Sequence, residues 1–247
     1  MISGVGGTMA SDSARENAAK AALALVKPGM RVGLGTGSTA SIFIRLLSEK
    51  NHLYDMNLRC IPTSLNSAHL AHSYGLVVAG FDDVEKIDLA IDGADAVSKD
   101  FNLLKGLGGA LTREKIVAYR AAKFAVMVDD SKLKPLLGGI VPVEVLPFAF
   151  AAVLRELPAV SSGQPVMRRN KDSTPFRTDN GNYIIDVPVA KITDPAKLEL
   201  EINTIPGVVE NGIFTRADIV IVGNETGSRT LVNKKKFSFP YLLRRRA

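Results

Sequence analysis

The chain of 247 residues has one cysteine, Cys60, and no tryptophan. A single thiol excludes an intrachain disulfide, and this usage predicts a reducing, cytoplasmic compartment. No run of apolar residues approaches the roughly 18 needed to cross a bilayer, so no membrane-spanning helix is expected. Residues 1–10 are small and Gly-rich, without a basic stretch followed by an apolar block, which argues against a secretory leader. Histidine is scarce, and His52, His69 and His72 show no ligand spacing. Net charge is missing from most of the chain as well. The formal +6 belongs to one end: without the six lysines and arginines of 234–247, 25 basic and 25 acidic residues remain. A neutral body argues against a nucleic-acid-binding face, and the basic tail reads as a solvated extension. Cys60 has no partnered His and reads as a core thiol.

The 46% hydrophobic content is enough for a full apolar core. Helix is expected over 11–26, with Asp12 or Ser13 as N-cap and Pro28-Gly29 as the stop. A strand over 30–34 runs into a glycine loop and then a helix over 40–47. Strands follow at 58–61, 76–78, 87–91 and 124–128, with helices at 67–74 and 114–123. This alternation predicts an α/β fold, a Rossmann-like parallel sheet with helices on both faces. Beyond Val141-Pro142-Val143 the order changes to helix 148–156, strands 166–169 and 183–187, helix 194–202 capped by Thr193, and strand 208–214. That order suggests a small α+β unit. The apolar strand 217–222 would rejoin the main sheet. The expected division is therefore 1–140 with 216–247, and a separate unit over 141–215.

Four segments can carry chemistry. In Gly33-Leu34-Gly35-Thr36-Gly37-Ser38-Thr39, glycines allow backbone N–H groups close to an anion at a helix start. Thr36, Gly37, Ser38 and Thr39 suit a terminal phosphate; the alternative is a tight turn with no ligand. The dinucleotide fingerprint fails because its third glycine is Ser38, and no Gly-Lys-Ser/Thr is present for a P-loop. Asp92-Gly93-Ala94-Asp95 follows an apolar strand, where parallel sheets bind ligands. Its carboxylates could handle hydroxyl protons or hold a cation, or form only an Asx-turn and a cap. Lys105-Gly106-Leu107-Gly108-Gly109 is a second glycine turn, leading to Glu114 at a helix start. For Glu114 the alternative is a dipole complement or a capping box with Thr112. Lys132 follows a further strand end.

Taken together, G-T-G-S-T, D-G-A-D, K-G-x-G-G-A-L-x-R-E-K and a downstream S-K resemble the type A ribose-5-phosphate isomerase family. The resemblance extends through Pro142-Val143-Glu144-Val145, Thr178-Asp179-Asn180-Gly181-Asn182 and Ile205-Pro206-Gly207-Val208-Val209. It implies an aldose–ketose isomerase of the pentose phosphate pathway, with a Rossmann-like domain, a small lid domain, no cofactor and no metal. It further implies a pentose 5-phosphate substrate and a homodimer or homotetramer, with no nucleic-acid or membrane partner. By position, Glu114 matches the proton-transfer base, Lys105 the stabilising cation, and Asp92 the carboxylate assisting ring opening. Asp95, Gly93, Ala94, Gly106, Leu107, Gly108 and Lys132 match substrate contacts, and Arg15 falls nearest a phosphate-contacting basic residue. Leu107 departs from a common glycine, so its Cβ is expected to crowd the loop unless the dihedrals tolerate it. The competing readings are a non-catalytic sugar-phosphate sensor and a CoA-transferase-like enzyme of related fold.

Overall fold

The apolar stretches 124–128 and 219–222 lie side by side as parallel strands of one sheet. The computed structural model describes residues 8–234. Of the leader expectation over 1–10, residues 1–7 lie outside the described residues, as does the basic tail 234–247 from residue 235 onward.

α1 (Thr8–Ala22) starts before the expected caps. Asp12 lies inside it and pairs with Arg15 at 2.7 Å instead of capping an end. β1 (Arg31–Leu34) follows, then α2 (Ser38–Tyr54). α2 outruns its expected end at Leu47 because 48–54 holds neither Gly nor Pro; Asp55, left-handed at φ 44°, ends it. β2 (Arg59–Pro62) leads to α3 (Leu65–Ser73), opened by a reciprocal capping box of Ser64 and Ser67. The expected strand 76–78 is only a bridge, Cys60↔Val78. β3 (Ile87–Gly93) precedes the short β4 (Ala96–Ser98) and β5 (Leu103–Leu104). α4 (Leu111–Arg120) lies earlier than the expected 114–123, and β6 (Ala121–Asp129) follows at once.

β7 (Leu133–Lys134) and β8 (Leu137–Val145) come next, so the expected junction at 140/141 falls inside a strand. Pro142 is tolerated there. Its carbonyl accepts from Gly212 N–H at 2.8 Å, so its ring nitrogen faces the same side, where the neighbouring strand has already ended. α5 (Phe150–Glu156), β9 (Val166–Met167), β10 (Tyr183–Ile192) and α6 (Pro195–Asn203) continue the chain. α6 is capped by Asp194, which accepts from Lys197 N–H, and not by Thr193. β11 (Val208–Asn211) and β12 (Ile213–Phe214) divide the expected strand 208–214 at Gly212. β13 (Ile219–Asn224) and β14 (Gly227–Val232) close the described chain.

The main sheet has six strands in the order β14-β13-β6-β3-β1-β2. All are parallel except β14, which pairs antiparallel with β13. Alternate residues feed two cores, as period-two geometry demands. Leu34, Ile91, Ala125, Met127 and Ile221 pack under α1 and α2, with Ala18, Phe43 and Leu47. Ala90, Phe124, Val126, Val128 and Val222 pack on the other side with Val117 and Ala118 of α4. Cys60 is fully buried in the first core, and burial pushes its thiol up to about 12, as befits a packing residue.

A second, antiparallel sheet runs β11-β8-β10-β9. Its Val141, Val143, Val145, Ile185 and Val187 form a third core with Val153 of α5 and Ile202 of α6. A third sheet, β12-β5-β4-β7, joins the two. In the main sheet the chain leaves β1 for β2 on one side and returns to β3 on the other. That reversal opens a crevice beyond the carboxyl ends of β1 and β3.

Candidate active site

The crevice is a cleft of about 730 Å³. Four of the five parallel strands deliver a lining segment from the carboxyl end: Thr36 to Thr39 after β1, Gly93 to Asp95 from β3, Asp129 to Lys132 from β6, and Gly223 to Glu225 from β13. Arg15 of α1, Gly106, Gly108 and Lys105 complete the lining with Glu114.

Three side chains expected from sequence meet here; Lys105 and Glu114 line the cleft, while Asp92 is buried beside Lys105 and is not among the lining residues. Lys105 Nζ lies 3.1 Å from Asp92 Oδ2 and 3.3 Å from Glu114 Oε2. It also donates to the Gly93 carbonyl at 2.6 Å. Lys105 is only 3% exposed and Glu114 5%. Glu114 sits in the first turn of α4, whose N-cap Ala110 makes no side-chain cap. The capping-box alternative therefore fails: the Thr112 hydroxyl goes instead to Glu144 Oε2 at 2.5 Å. Asp92 Oδ1 accepts from the amides of Thr36 at 3.0 Å and Gly93 at 2.7 Å. Glu114 Oε2 is buried and has no hydrogen-bond partner.

The electrostatics follow from burial and crowding. Burial pushes the Glu114 carboxyl up to about 8; the Asp92 charge adds to this and Lys105 opposes it. Burial raises Asp92 as well, against the pull of Lys105 and of two backbone amides. Burial by itself would lower the Lys105 ammonium, but Asp92 and Glu114 outweigh it and hold it above its usual range. The floor thus offers a raised carboxyl with a free oxygen beside a fixed cation. Such a pair can remove a proton from carbon while stabilising the oxygen anion that results. Among the described residues, no group of three or more His, Cys, Asp or Glu side chains is placed to hold a metal ion.

At the other end, α2 begins after Gly37, which makes no side-chain cap and has φ 102°. The first amides of a helix have no intrahelical acceptor and favour an anion. Ser38 and Thr39 belong to this helix start, and Lys132 and Arg15 line the same cleft. Asp95 is held by its Oδ2, which accepts from Leu107 N–H at 3.0 Å.

Leu107 is not among the residues lining the cleft, and its side chain is turned to solvent, 55% exposed. The expected crowding does not occur. The left-handed positions of this loop are Gly106 and Gly109, at φ 98° and 84°, so only those two require glycine. Gly35 matters for a different reason: a Cβ there would lie 2.1 Å from Asp92 Oδ1 and 2.6 Å from its Cα. Gly35→Ala is expected to displace Asp92 and to lower stability by about 1–3 kcal/mol, measured by urea unfolding. An unchanged midpoint would contradict this packing.

Several contributors carry no local sequence signal. Arg168 donates to the carbonyls of Gly106 at 2.7 Å and Leu107 at 3.0 Å, and is itself clamped by Asp186. Phe176 lies where a Cβ on Gly109 would stand, 2.4 Å away. Gly212 lets its strand approach Lys105, whose carbonyl would lie 2.2 Å from a Cβ at that position. Gly223, Asn224 and Glu225 line the cleft where β13 ends and turns into β14.

The chain is similar to known proteins over most of its length. The sequence model of the family Ribose 5-phosphate isomerase A (phosphoriboisomerase A) matches residues 59–227. A ribose-5-phosphate isomerase A from Thermomicrobium roseum is 45% identical over 234 residues, 93% of this chain and 98% of its own length. The solved ribose 5-phosphate isomerase A of Methanocaldococcus jannaschii superposes with a TM-score of 0.85 at 45% identity, covering 90% of this chain and 99% of that one. A solved D-ribose-5-phosphate isomerase in complex with phospho-erythronic acid reaches 0.87 at 44% identity, covering 91% and 100%. The chain belongs to the ribose 5-phosphate isomerase A family.

Proposed function

We propose that this protein interconverts D-ribose 5-phosphate and D-ribulose 5-phosphate through an enediolate, with Glu114 as the base. The observation that carries this is the free, buried Glu114 Oε2 standing 3.3 Å from Lys105 Nζ at the floor of the cleft. A carbon acid is weak until the neighbouring carbonyl is polarised, so a base needs a cation at the oxygens. Lys105 serves as that cation. Asp92 handles hydroxyl protons during ring opening, and Asp95 holds a sugar hydroxyl. The phosphate sits at the start of α2 with Ser38, Thr39, Lys132 and Arg15, which fixes the reacting carbons over Glu114. The family relative solved with phospho-erythronic acid, a phosphorylated sugar acid, supports this class of ligand.

The unit over 141–215 serves as a lid on the cleft, and exclusion of water there strengthens both charges. Its fully exposed Phe148 and half-exposed Leu146 provide the surface through which copies assemble as a homodimer or homotetramer. Reaction requires neither cofactor nor metal.

The test is ketose formation from ribose 5-phosphate by the purified protein. Binding without turnover would favour a sensor, and a trapped glutamyl thioester a CoA transferase. Two further outcomes are expected. kcat/KM rises with pH up to about 8 and then levels, because the base must be ionised and its carboxyl is raised to about 8. A profile flat from roughly pH 6 to 9 would contradict the base assignment. Lys132→Ala raises KM about tenfold, ~1.4 kcal/mol, with kcat little changed, since a phosphate contact acts alike in ground and transition states. A fall in kcat at constant KM would place Lys132 at the reacting carbons instead.

A further inference from the structure

A second buried carboxylate lies behind the site and takes no part in the chemistry described so far. Glu144 of β8 is fully buried. Four donors converge on it. Thr112 Oγ1 reaches Oε2 at 2.5 Å, while Thr178 Oγ1, Asn180 Nδ2 and Asn182 Nδ2 reach Oε1 at 2.9, 3.0 and 2.8 Å. Its strand neighbours in register are Ile184 and Glu210. Apolar residues would fill such a position at less risk, because a buried carboxylate is destabilising unless its donors are all in place.

The placement of those donors suggests what the knot does. Thr112 is the second residue of α4, and Glu114 stands in the same turn. The 178–182 turn grips the neighbouring Arg113 as well: its Nε donates to Asn180 Oδ1 at 2.8 Å and its Nη2 to the Asp179 carbonyl at 3.0 Å. Asp179 Oδ2 in turn accepts from Leu65 N–H at 2.7 Å, at the start of α3. The cap of α3, Ser64, accepts from the Thr36 hydroxyl at 2.8 Å, and Thr36 N–H holds Asp92. One turn of the second sheet therefore braces the segments that present both Glu114 and Asp92.

We infer that Glu144 is a positioning residue for the isomerisation: through Thr112 it fixes the first turn of α4, and so the place of the Glu114 carboxylate relative to Lys105 and the substrate. This rests on the assignment of Glu114 as base. Its distinguishing consequence is that loosening the knot changes the chemistry step more than substrate binding. Among the described residues, the side-chain hydrogen bonds of Glu144 go to Thr112, Thr178, Asn180 and Asn182, and none to α2 or the β6 loop, where the phosphate is placed. An angstrom of misplacement in a catalytic group is enough to lose about a hundredfold in rate.

The experiment compares Thr112→Val, Thr112→Ser, Glu144→Gln and Glu114→Gln in the full chain. Thr112→Val keeps shape but removes the hydroxyl. It is expected to lower kcat by about tenfold to a hundredfold with KM within about threefold. The acidic limb of its kcat/KM profile moves to lower pH, because a displaced Glu114 is better hydrated and less crowded by Asp92 and Asp95, which outweighs a weaker pull from Lys105. Thr112→Ser restores both kcat and the limb. Glu144→Gln lowers kcat in the same sense, and the double variant with Thr112→Val loses no more than the worse single one. Should Glu144→Gln fail to fold, the Thr112 pair alone decides. The inference is overturned if folded Thr112→Val melts at a lower temperature yet keeps kcat within about twofold and its limb in place. Failure of the base assignment looks different: Glu114→Gln would then retain turnover, whatever the Thr112 variants do.

Discussion

Glu114→Gln is expected to lose turnover by about 10³- to 10⁴-fold while remaining folded, since a positioned base contributes up to that range. Gln is close in shape, and what it gives up is the charge of Glu114 beside Lys105, whose ammonium keeps Asp92 and the Gly93 carbonyl as partners. The same substitution is expected to stabilise the fold in a pH-dependent way. The carboxyl is raised from 4.5 in the unfolded chain to about 8 in the folded one. Between those values the folded state keeps a proton that the unfolded state releases, so wild-type stability declines as pH rises through this window. Gln has no such dependence. The difference in unfolding free energy therefore opens from pH 4.5 upward and levels above about 8, reaching on the order of a few kcal/mol. Urea melts of both proteins at several pH values measure it. A constant difference across the window would mean that the carboxyl is not raised by burial.

Lys105→Ala carries the second large effect. Removing the cation leaves Asp92 and Glu114 buried together with nothing between them. Losing one partner of a buried ion pair costs about 3–5 kcal/mol, so the variant is expected to be markedly less stable than wild type. Without Lys105 both carboxyls rise further, and their protonation relieves part of the loss at low pH. The destabilisation is therefore smaller near pH 6 than near pH 9, which chemical denaturation at the two values resolves. On the kinetic side the loss of the oxyanion partner lowers kcat by about 10²- to 10³-fold with a lesser change in KM. A variant with near-normal kcat and a raised KM would exchange the roles of Lys105 and Lys132.

The parts of this picture legible in the sequence are those with local causes. Strands buried on both faces are rich in apolar residues, so 124–128 and 217–222 stood out, the second despite Asp218, and the alternation with helices gave the parallel sheet. Glycine turns marked where β1 and β3 end, and the close of the apolar run 124–128 marked the end of β6; those ends carry Thr36, Asp92 and Lys132. What was not legible depends on distance. β14 is an exposed edge strand of mixed polarity, Gly-Ser-Arg-Thr-Leu-Val, with no buried face to write a pattern. Missing it meant missing Asn224 and Glu225 in the cleft. The polar cluster at 11–13 imitates a helix start because Ser and Asp are good caps, although α1 begins at Thr8. Pro142 imitates a break because its missing N–H is harmless only where β11 has ended, a fact of tertiary structure. Arg168, Phe176 and Gly212 act on the Lys105 loop from far along the chain. Glu144, an acidic residue in a strand, reads as solvent-facing until the 178–182 turn is seen closing over it.

The most direct test is solvent isotope wash-in at the reacting carbons. Purified protein is incubated with ribose 5-phosphate in D₂O, and the sugar phosphates are followed by mass spectrometry and NMR. Wild type is predicted to place deuterium at C2 of the aldose and C1 of the ketose as the two interconvert, and Glu114→Gln to do neither. Exchange by Glu114→Gln at the wild-type rate would contradict the account, because some other group would then be moving the proton.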